Sequence, residues 1–239
     1  QTSVIIPCFN EEENLKILFS SWMEAVEGKP IEVIFVNNGS SDNSEIVFNK
    51  LKEIYKNENK HFKVLNLQSN KGYGGGIQEG LNSATGDVLC WSHADNQIKA
   101  EDVVNLIDYY TEKNNKEILL KGRRRNRLIF DQFFTYYMSV LVKITTGFKL
   151  SDINAQPKIF YNDFYFQEKE YSKDFLFDLD FLLSIKKKNK KIIEKDVTNL
   201  NREFGKAKGG GSLKGKIYLS LRTITYLLKY KKWTLIYQL

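Results

Sequence analysis

Ser3-Val4-Ile5-Ile6-Pro7-Cys8-Phe9-Asn10-Glu11-Glu12 is an apolar run that stops on polar residues and passes directly into acidic ones. Short continuous runs rich in Val and Ile are how strands buried on both faces of a parallel sheet read. Val33 to Val36 has the same character, and between the two runs Leu15, Leu18, Phe19, Trp22 and Val26 recur at helical spacing over Glu11 to Val26. The resulting strand-helix-strand unit repeats. Helices are expected over Ser44–Tyr55, Gly74–Ala84, Ala100–Lys113 and Asp178–Lys187, and strands over Phe62–Leu67, Val88–Trp91, Glu117–Lys121 and Lys191–Val197. Such alternation predicts an α/β fold, a mostly parallel sheet flanked by helices on both faces. Asp152 to Phe160 reads as extended. Leu128 to Thr146 carries Phe130, Phe133, Phe134, Tyr137, Leu141 and Ile144 at helical spacing and is expected to pack on the sheet. A C-terminal amphipathic helix is expected over Leu213–Lys232, so residues 1–212 read as the catalytic-sized domain and 213–239 as a basic helical segment.

Composition narrows the classes. With 239 residues and 42% hydrophobic content, the chain can bury a sizeable core. Cys8 and Cys90 lie inside apolar runs and read as reduced core residues of a cytoplasmic protein. No run approaches the ~20 apolar residues that span a bilayer, and the N-terminus lacks the basic-then-apolar pattern of a signal peptide. The net charge of +7 is concentrated in 121–127, 186–191 and 206–232, which favours an anionic partner: a phosphate-bearing substrate or an anionic lipid surface. Nucleic acid is not expected, because no helix-turn-helix, zinc or RNA-binding-sheet signature is present.

Chemistry-bearing residues stand at strand ends, where open α/β sheets bind ligands. The first cluster is Pro7, Asn10, Glu11, Glu12 and Asn14; Asn10 can cap the following helix, or the group can contact a nucleotide's base and ribose. The second is Asn37-Asn38-Gly39-Ser40-Ser41-Asp42, a strand followed by a tight turn. In the third, Asn70-Lys71-Gly72-Tyr73-Gly74-Gly75-Gly76, glycines open a helix whose N-terminus can receive a phosphate, although glycine runs are frequent in ordinary loops. The fourth is His93-Ala94-Asp95-Asn96-Gln97. Alternate residues at a strand end point to one side, so His93, Asp95 and Gln97 are candidate ligands of one Mg²⁺ or Mn²⁺, which would bridge a carboxylate to two phosphates.

Pro7-Cys8-Phe9-Asn10-Glu11, Val36 to Asp42, Asn70-Lys71-Gly72, Ala84-Thr85-Gly86-Asp87 and Ala94-Asp95-Asn96-Gln97 stand in the order and spacing of the inverting family 2 glycosyltransferases. Over about residues 2–212 the chain resembles most the branch that holds polyprenol-phosphate mannose and glucose synthases. The resemblance implies a GT-A fold, a nucleotide-diphosphate sugar donor and a divalent cation. Pro7, Asn10, Glu11, Asn37, Asn38, Gly39, Lys71, Gly72, Ala94, Asp95 and Arg123 would then contact the donor. Two departures stand out: Asn37 and Asn38 replace the usual Asp pair, and His93 replaces the first acid of Asp-Ala-Asp. An Asn side chain can still donate to and accept from a base edge, and a site one charge poorer is expected to bind Mg²⁺ weakly or to prefer Mn²⁺.

Asp152 to Phe160 is similar to the acceptor-side segment of these synthases, and Phe177-Asp178-Leu179-Asp180 to the helix whose acid faces the reaction centre. Transfer to a hydroxyl needs a carboxylate to take its proton, which makes Asp178 or Asp180 the candidate base; both can equally be acids of an ordinary amphipathic helix. A lipid phosphate acceptor is already anionic and needs no base. In the resembling synthases an Arg followed by a Gly-Ser-Lys stretch closes over the phosphates, which implies that role for Arg202 and Lys214, with Arg123, Arg124, Arg125 and Arg127 as a further clamp or, for Arg125 and Arg127, a solvated charge run. The expected function is sugar transfer to a polyprenyl phosphate or lipid-linked glycan, with the C-terminal basic helix lying on the inner membrane face. Two rivals remain open: a soluble polysaccharide or protein glycosyltransferase with an Asp base, and a nucleotide-sugar-binding protein without catalysis.

Overall fold

A computed structural model describes residues 1–56, 61–126, 129–165, 169–202 and 213–236, with the backbone alone at 213 and 231–236. Strands β1 (Thr2–Cys8), β2 (Ile31–Asn37), β3 (Phe62–Asn66) and β4 (Val88–Trp91) run parallel and are joined by helices α1 (Glu12–Ala25), α2 (Ser44–Ile54) and α3 (Tyr73–Asn82). After α4 (Ala100–Lys113), β5 (Ile118–Arg125) is followed by α5 (Ile129–Thr146), β6 (Lys158–Tyr161), α6 (Phe177–Lys187), β7 (Lys191–Thr198) and α7 (Leu213–Ile236). The seven strands form one sheet in the order β3-β2-β1-β4-β6-β5-β7, with β6 antiparallel to both neighbours. From β1 the chain builds outward through β2 and β3, then returns to place β4 on the other side. That reversal leaves a crevice at the carboxyl ends of β1 and β4, where ligands of such sheets sit.

Both faces of the sheet are covered, which is why β1, β2 and β4 are apolar at nearly every position. Val4, Ile6, Val33 and Phe35 meet Leu15, Phe19, Trp22, Phe48, Val103 and Ile107 of α1, α2 and α4. Ile5, Ile34, Trp91 and Phe160 meet Ile77, Leu81, Phe177 and Phe181 of α3 and α6. Neighbouring residues of a strand point to opposite faces, so each face receives alternate side chains. Cys8 and Cys90 are buried and form no disulfide.

Two expectations need correction. Helix α5 does not lie on the sheet: Val142 is its buried residue, while Phe133, Tyr136 and Ile144 are 65%, 69% and 73% exposed, and the helix packs against α7. Helical spacing marks an apolar stripe but not the partner it meets, and here α3 and α6 already occupy the sheet face. The extended reading of Asp152 to Phe160 holds only from Lys158. Upstream, Asp152 takes a positive φ of 37°, the Ala155 amide donates to the Asp152 carbonyl at 2.9 Å, and the Gln156–Pro157 bond is cis. Helix α7 returns to the core through buried Leu227. Among the described residues no helix is long and apolar enough to cross a membrane.

Candidate functional site

The turns after β1 and β2 are tied into one rim. Asn10, in the left-handed region at φ 52°, accepts the Ser41 amide on Oδ1 at 2.8 Å, and its own amide donates to Ser40 Oγ at 3.0 Å. It therefore staples the second turn and does not cap α1. The Glu11 amide donates to Ser44 Oγ at 3.1 Å, and Glu12 accepts the Asn43 amide at 2.9 Å. Glu11 also accepts from Asn14 Nδ2 at 2.6 Å, while Pro7, next to last in β1, lies opposite Val36.

Asn37 and Asn38 are buried; Asn37 binds the end of β3 and Asn38 the loop before α3. Asn37 Nδ2 donates to Asn66 Oδ1 at 3.1 Å. Asn38 Nδ2 donates to the Gly72 carbonyl at 2.9 Å and to Asn70 Oδ1 at 3.3 Å, while its Oδ1 accepts the Lys71 amide at 3.0 Å. These partners explain the amide: a carboxylate at 38 would face two acceptors. Asn38→Asp is expected to lose about 2–4 kcal/mol, two donated bonds becoming unsatisfied contacts, and urea denaturation of both proteins reads it; stability within 0.5 kcal/mol of the parent would refute this role. Gly39 has φ +64°, and a Cβ there would lie 2.3 Å from the Ser69 carbonyl carbon, so the turn requires glycine.

The glycine run is not an open phosphate cradle. The Gly75 amide, in the first turn of α3, donates to the Lys173 carbonyl at 2.9 Å, and Cβ atoms at Gly72 and Gly74 would sit 2.4 Å from the Lys173 carbonyl oxygen and 2.5 Å from that of Ser172. The glycines let α3 approach segment 172–174, which covers the helix N-terminus; Lys71 is ion-paired with Glu79. This close approach also brings in Tyr73. Its ring stacks on Phe175 at 5.1 Å and lies 5.9 Å from that of His93.

At the end of β4, Asp95 is 8% exposed. Its Oδ2 meets the Arg202 guanidinium at 2.6 Å, and its Oδ1 accepts the Gln97 amide at 3.2 Å. The strand stops at Trp91, and Asn96 takes φ 56°, so the alternation expected to gather His93, Asp95 and Gln97 on one side ends before it reaches them. The Gln97 side chain is turned to residue 200 instead: Nε2 donates to the Leu200 carbonyl at 3.0 Å, and the Leu200 amide donates to the Gln97 carbonyl at 2.8 Å. Burial pushes the His93 imidazole below its ordinary pKa against the opposing pull of Asp95 and Asp178, leaving a neutral ring with a lone pair. One carboxylate and one neutral imidazole fit a borderline cation such as Mn²⁺ better than Mg²⁺. Among the described residues no three His, Cys, Asp or Glu side chains gather to hold a metal ion.

Behind this tip lies a buried ion pair. Asp178 is 1% exposed and Lys158 0%; the Lys158 ammonium binds the Asp178 carboxylate and sits 5.4 Å from the Trp91 ring. Gln156 Nε2 donates to Asp178 at 3.2 Å and to the Tyr73 hydroxyl at 2.9 Å, which is held against Asp178 in turn. Burial raises the Tyr73 hydroxyl well above its ordinary pKa, so it stays protonated as a donor. Asp180, two residues on, points elsewhere. It accepts from Lys169 at 2.7 Å, the Ser172 amide at 3.1 Å and the Tyr226 hydroxyl at 3.0 Å, which makes it a tether between α6, segment 169–172 and α7.

The arginines of β5 divide by strand alternation. Arg123 and Arg125 both bind Asp196 of β7, at 2.7 and 2.8 Å, so Arg123 is spent on the sheet edge. Arg124 faces the other way, paired with Asp152, and lines a cavity of about 150 Å³. That cavity is walled by Phe134, Met138 and Leu219 of α5 and α7, with Lys216 and Arg222 among its polar groups, and Phe175 joins it to the Tyr73–His93 stack. Lys214 is exposed in the first turn of α7. Arg127 and the Gly-rich stretch 203–212 lie outside the described residues. Sequence reading placed Tyr73 in the glycine cluster and Gln156 and Lys158 in the acceptor-side segment but gave none of them a role of its own; a lysine directly before the apolar Ile159-Phe160 was a further signal.

Known proteins agree with this architecture. The chain is 31% identical over 152 residues to the undecaprenyl-phosphate 4-deoxy-4-formamido-L-arabinose transferase of Pectobacterium carotovorum subsp. carotovorum, covering 63% of this chain and 45% of that protein. It thus spans less than half the length of that relative. It is 26% identical over 237 residues to the dodecaprenyl-phosphate galacturonate synthase of Rhizobium johnstonii, covering 97% and 68%. In fold it matches glucosyl-3-phosphoglycerate synthase from Mycobacterium tuberculosis, solved with Mn²⁺, uridine diphosphate and glucosyl-3-phosphoglycerate, with a TM-score of 0.68 at 13% identity over 97% of this chain and 79% of that one. The expected GT-A architecture is therefore present. Residues 3–166 match the model of glycosyl transferase family 2, and the chain belongs to that family.

Proposed function

We propose that the chain transfers a sugar from a nucleotide-diphosphate donor to the phosphate of a polyprenyl phosphate, with inversion at the anomeric carbon. An acceptor phosphate oxygen attacks that carbon, the bond to the donor's diphosphate breaks, and the nucleoside diphosphate leaves with the bonding electrons. The donor lies over the rim made by Asn10, Glu11, Asn37, Asn38 and Gly39, its diphosphate reaching Asp95 and His93. These two residues would hold the divalent cation, which supplies positive charge to the leaving group when bound. Arg202 and Lys214 add charge to the same phosphates.

The observation that supports the acceptor class is the cavity that Phe175 joins to Tyr73: apolar on its α5 and α7 walls, and lined by three cations, Arg124, Lys216 and Arg222, over two carboxylates, Asp152 and Asp174, with which Arg124 and Arg222 are paired. An amphiphile with an anionic head matches that lining. Both candidate bases point the same way, since Asp178 is engaged by Lys158 and Asp180 by Lys169 and Tyr226, whereas a phosphate acceptor brings its own charge and needs neither. The exposed Phe130, Phe133 and Tyr136 of α5 and Tyr218 and Leu221 of α7 would rest on the lipid surface, extending the membrane contact beyond the C-terminal helix and placing the chain at the inner face of the cell membrane.

The test is transfer from labelled UDP-, GDP-, CDP- and TDP-sugars, with Mn²⁺, to a polyprenyl phosphate in anionic vesicles. Label is expected in the lipid fraction with one base, falling at least about tenfold in Arg124→Met as a charge-assisted contact is lost. Label on a glycan hydroxyl but never on lipid phosphate would instead favour the Asp-base transferase. No nucleoside diphosphate released from any donor would favour a binding protein.

A further inference from the structure

Asp95 is the carboxylate at the β4 tip, and in this structure its charge is already matched by Arg202. The pair is largely sheltered, with the Asp95 side chain 11% exposed and that of Arg202 20%. Arg202 does not reach Asp95 by chance of a long side chain on a free strand. Two hydrogen bonds between residues 97 and 200 pin the backbone two residues upstream: Leu200 N to the Gln97 carbonyl, and Gln97 Nε2 to the Leu200 carbonyl. Gln97 is itself fixed by its amide, which donates to the other oxygen of Asp95.

We infer that Arg202 is an internal counter-ion that competes with the divalent cation for Asp95, and that Gln97 is the clasp that delivers it. A guanidinium within hydrogen-bonding distance of a carboxylate cannot share that oxygen with a dication without strong repulsion. Cation alone must therefore displace Arg202 from Asp95 and brings no anion to take its place. Cation arriving with a nucleoside diphosphate offers Arg202 a second anion, and Arg202 can pass from Asp95 to the phosphates as the cation takes its place. The consequence is ordered, mutually dependent binding: a weak cation site in the resting protein that becomes strong only with donor. This rests on the proposed donor site, and it assigns Gln97 a part opposite to that of a metal ligand.

The experiment is titration of Mn²⁺ into the whole protein, followed by the paramagnetic resonance signal of free Mn²⁺, with and without the nucleoside diphosphate that binds. In the parent, nucleotide is expected to tighten Mn²⁺ binding strongly. In Arg202→Met the affinity for Mn²⁺ alone should rise about tenfold, the worth of a charge-assisted hydrogen bond, and the enhancement by nucleotide should shrink. Gln97→Leu should shift both quantities in the same direction by a smaller factor. Unchanged or weaker binding of Mn²⁺ alone by Arg202→Met would overturn the counter-ion role, and weaker binding by Gln97→Leu would overturn the clasp in favour of ligation. Asp95→Asn separates the two levels of argument. If the parent binds Mn²⁺ with nucleotide and Asp95→Asn does so equally well, the donor-site reading fails and the inference with it; if only Asp95→Asn loses binding, the site stands and the Arg202 and Gln97 variants decide.

Discussion

Lys158→Met is expected to destabilise the fold by about 3–5 kcal/mol, because removing one member of a fully buried pair leaves the other as an uncompensated charge. Asp178 would be that charge, shielded from water in the first turn of α6 with Gln156 and Tyr73 as its remaining polar neighbours. Replacing both partners, Lys158→Met with Asp178→Leu, should recover most of the loss, since apolar residues of similar volume remove the desolvation problem for both. Burial holds the Lys158 ammonium down to about 8 against the stabilising pull of Asp178. With an unfolded value near ~10.4, the unfolded chain binds more protons between those limits, so the Lys158 contribution to stability rises with pH from about 8 upward and is lost as pH falls through that value. The gap between parent and Lys158→Met should accordingly widen from pH 8 to pH 10. Guanidinium denaturation at the two pH values measures it. A gap below 1 kcal/mol at both would mean that the pair is not buried as described.

Asp95→Asn carries the largest expected effect on activity, a fall in sugar transfer of about 10³-fold. The estimate follows from losing several kcal/mol of charge stabilisation at the leaving group, each ~1.4 kcal/mol being tenfold in rate. The strand and its core packing are untouched, but an amide keeps one acceptor oxygen, for the Gln97 amide or for Arg202 and not for both, so one contact at the β4 tip is lost. Initial rates at saturating donor and cation, beside an unchanged melting temperature, distinguish lost chemistry from lost structure. Retention of more than a tenth of the parent rate would remove Asp95 from the reaction.

Much of the fold was legible because burial on both sheet faces writes itself as unbroken Val and Ile runs, and helices write themselves as a period. The runs at Ser3–Ile6, Val33–Val36 and Val88–Trp91 became adjacent parallel strands. The same signals failed where two elements share one description. The period of α5 looked like that of a core helix, yet its stripe faces α7 and the surface, because nothing local records that the sheet face was already filled. The glycines at 74–76 read equally well as a phosphate loop or a close helix contact, and only segment 172–174, about a hundred residues away, decides for the contact.

The sequence by itself determined the α/β alternation, the strand ends that carry Asn10, Asn37, Asn38 and Asp95, and the family, since each depends on residues close together in the chain. Tertiary structure alone decided that Arg202 neutralises Asp95, that Lys158 is buried against Asp178, and that Arg124 rather than Arg123 looks into the cavity. Electrostatic partners are chosen by distance and shelter from water, and neither is a property of neighbouring residues in a chain: Asp95 and Arg202 stand 107 positions apart and meet at 2.6 Å.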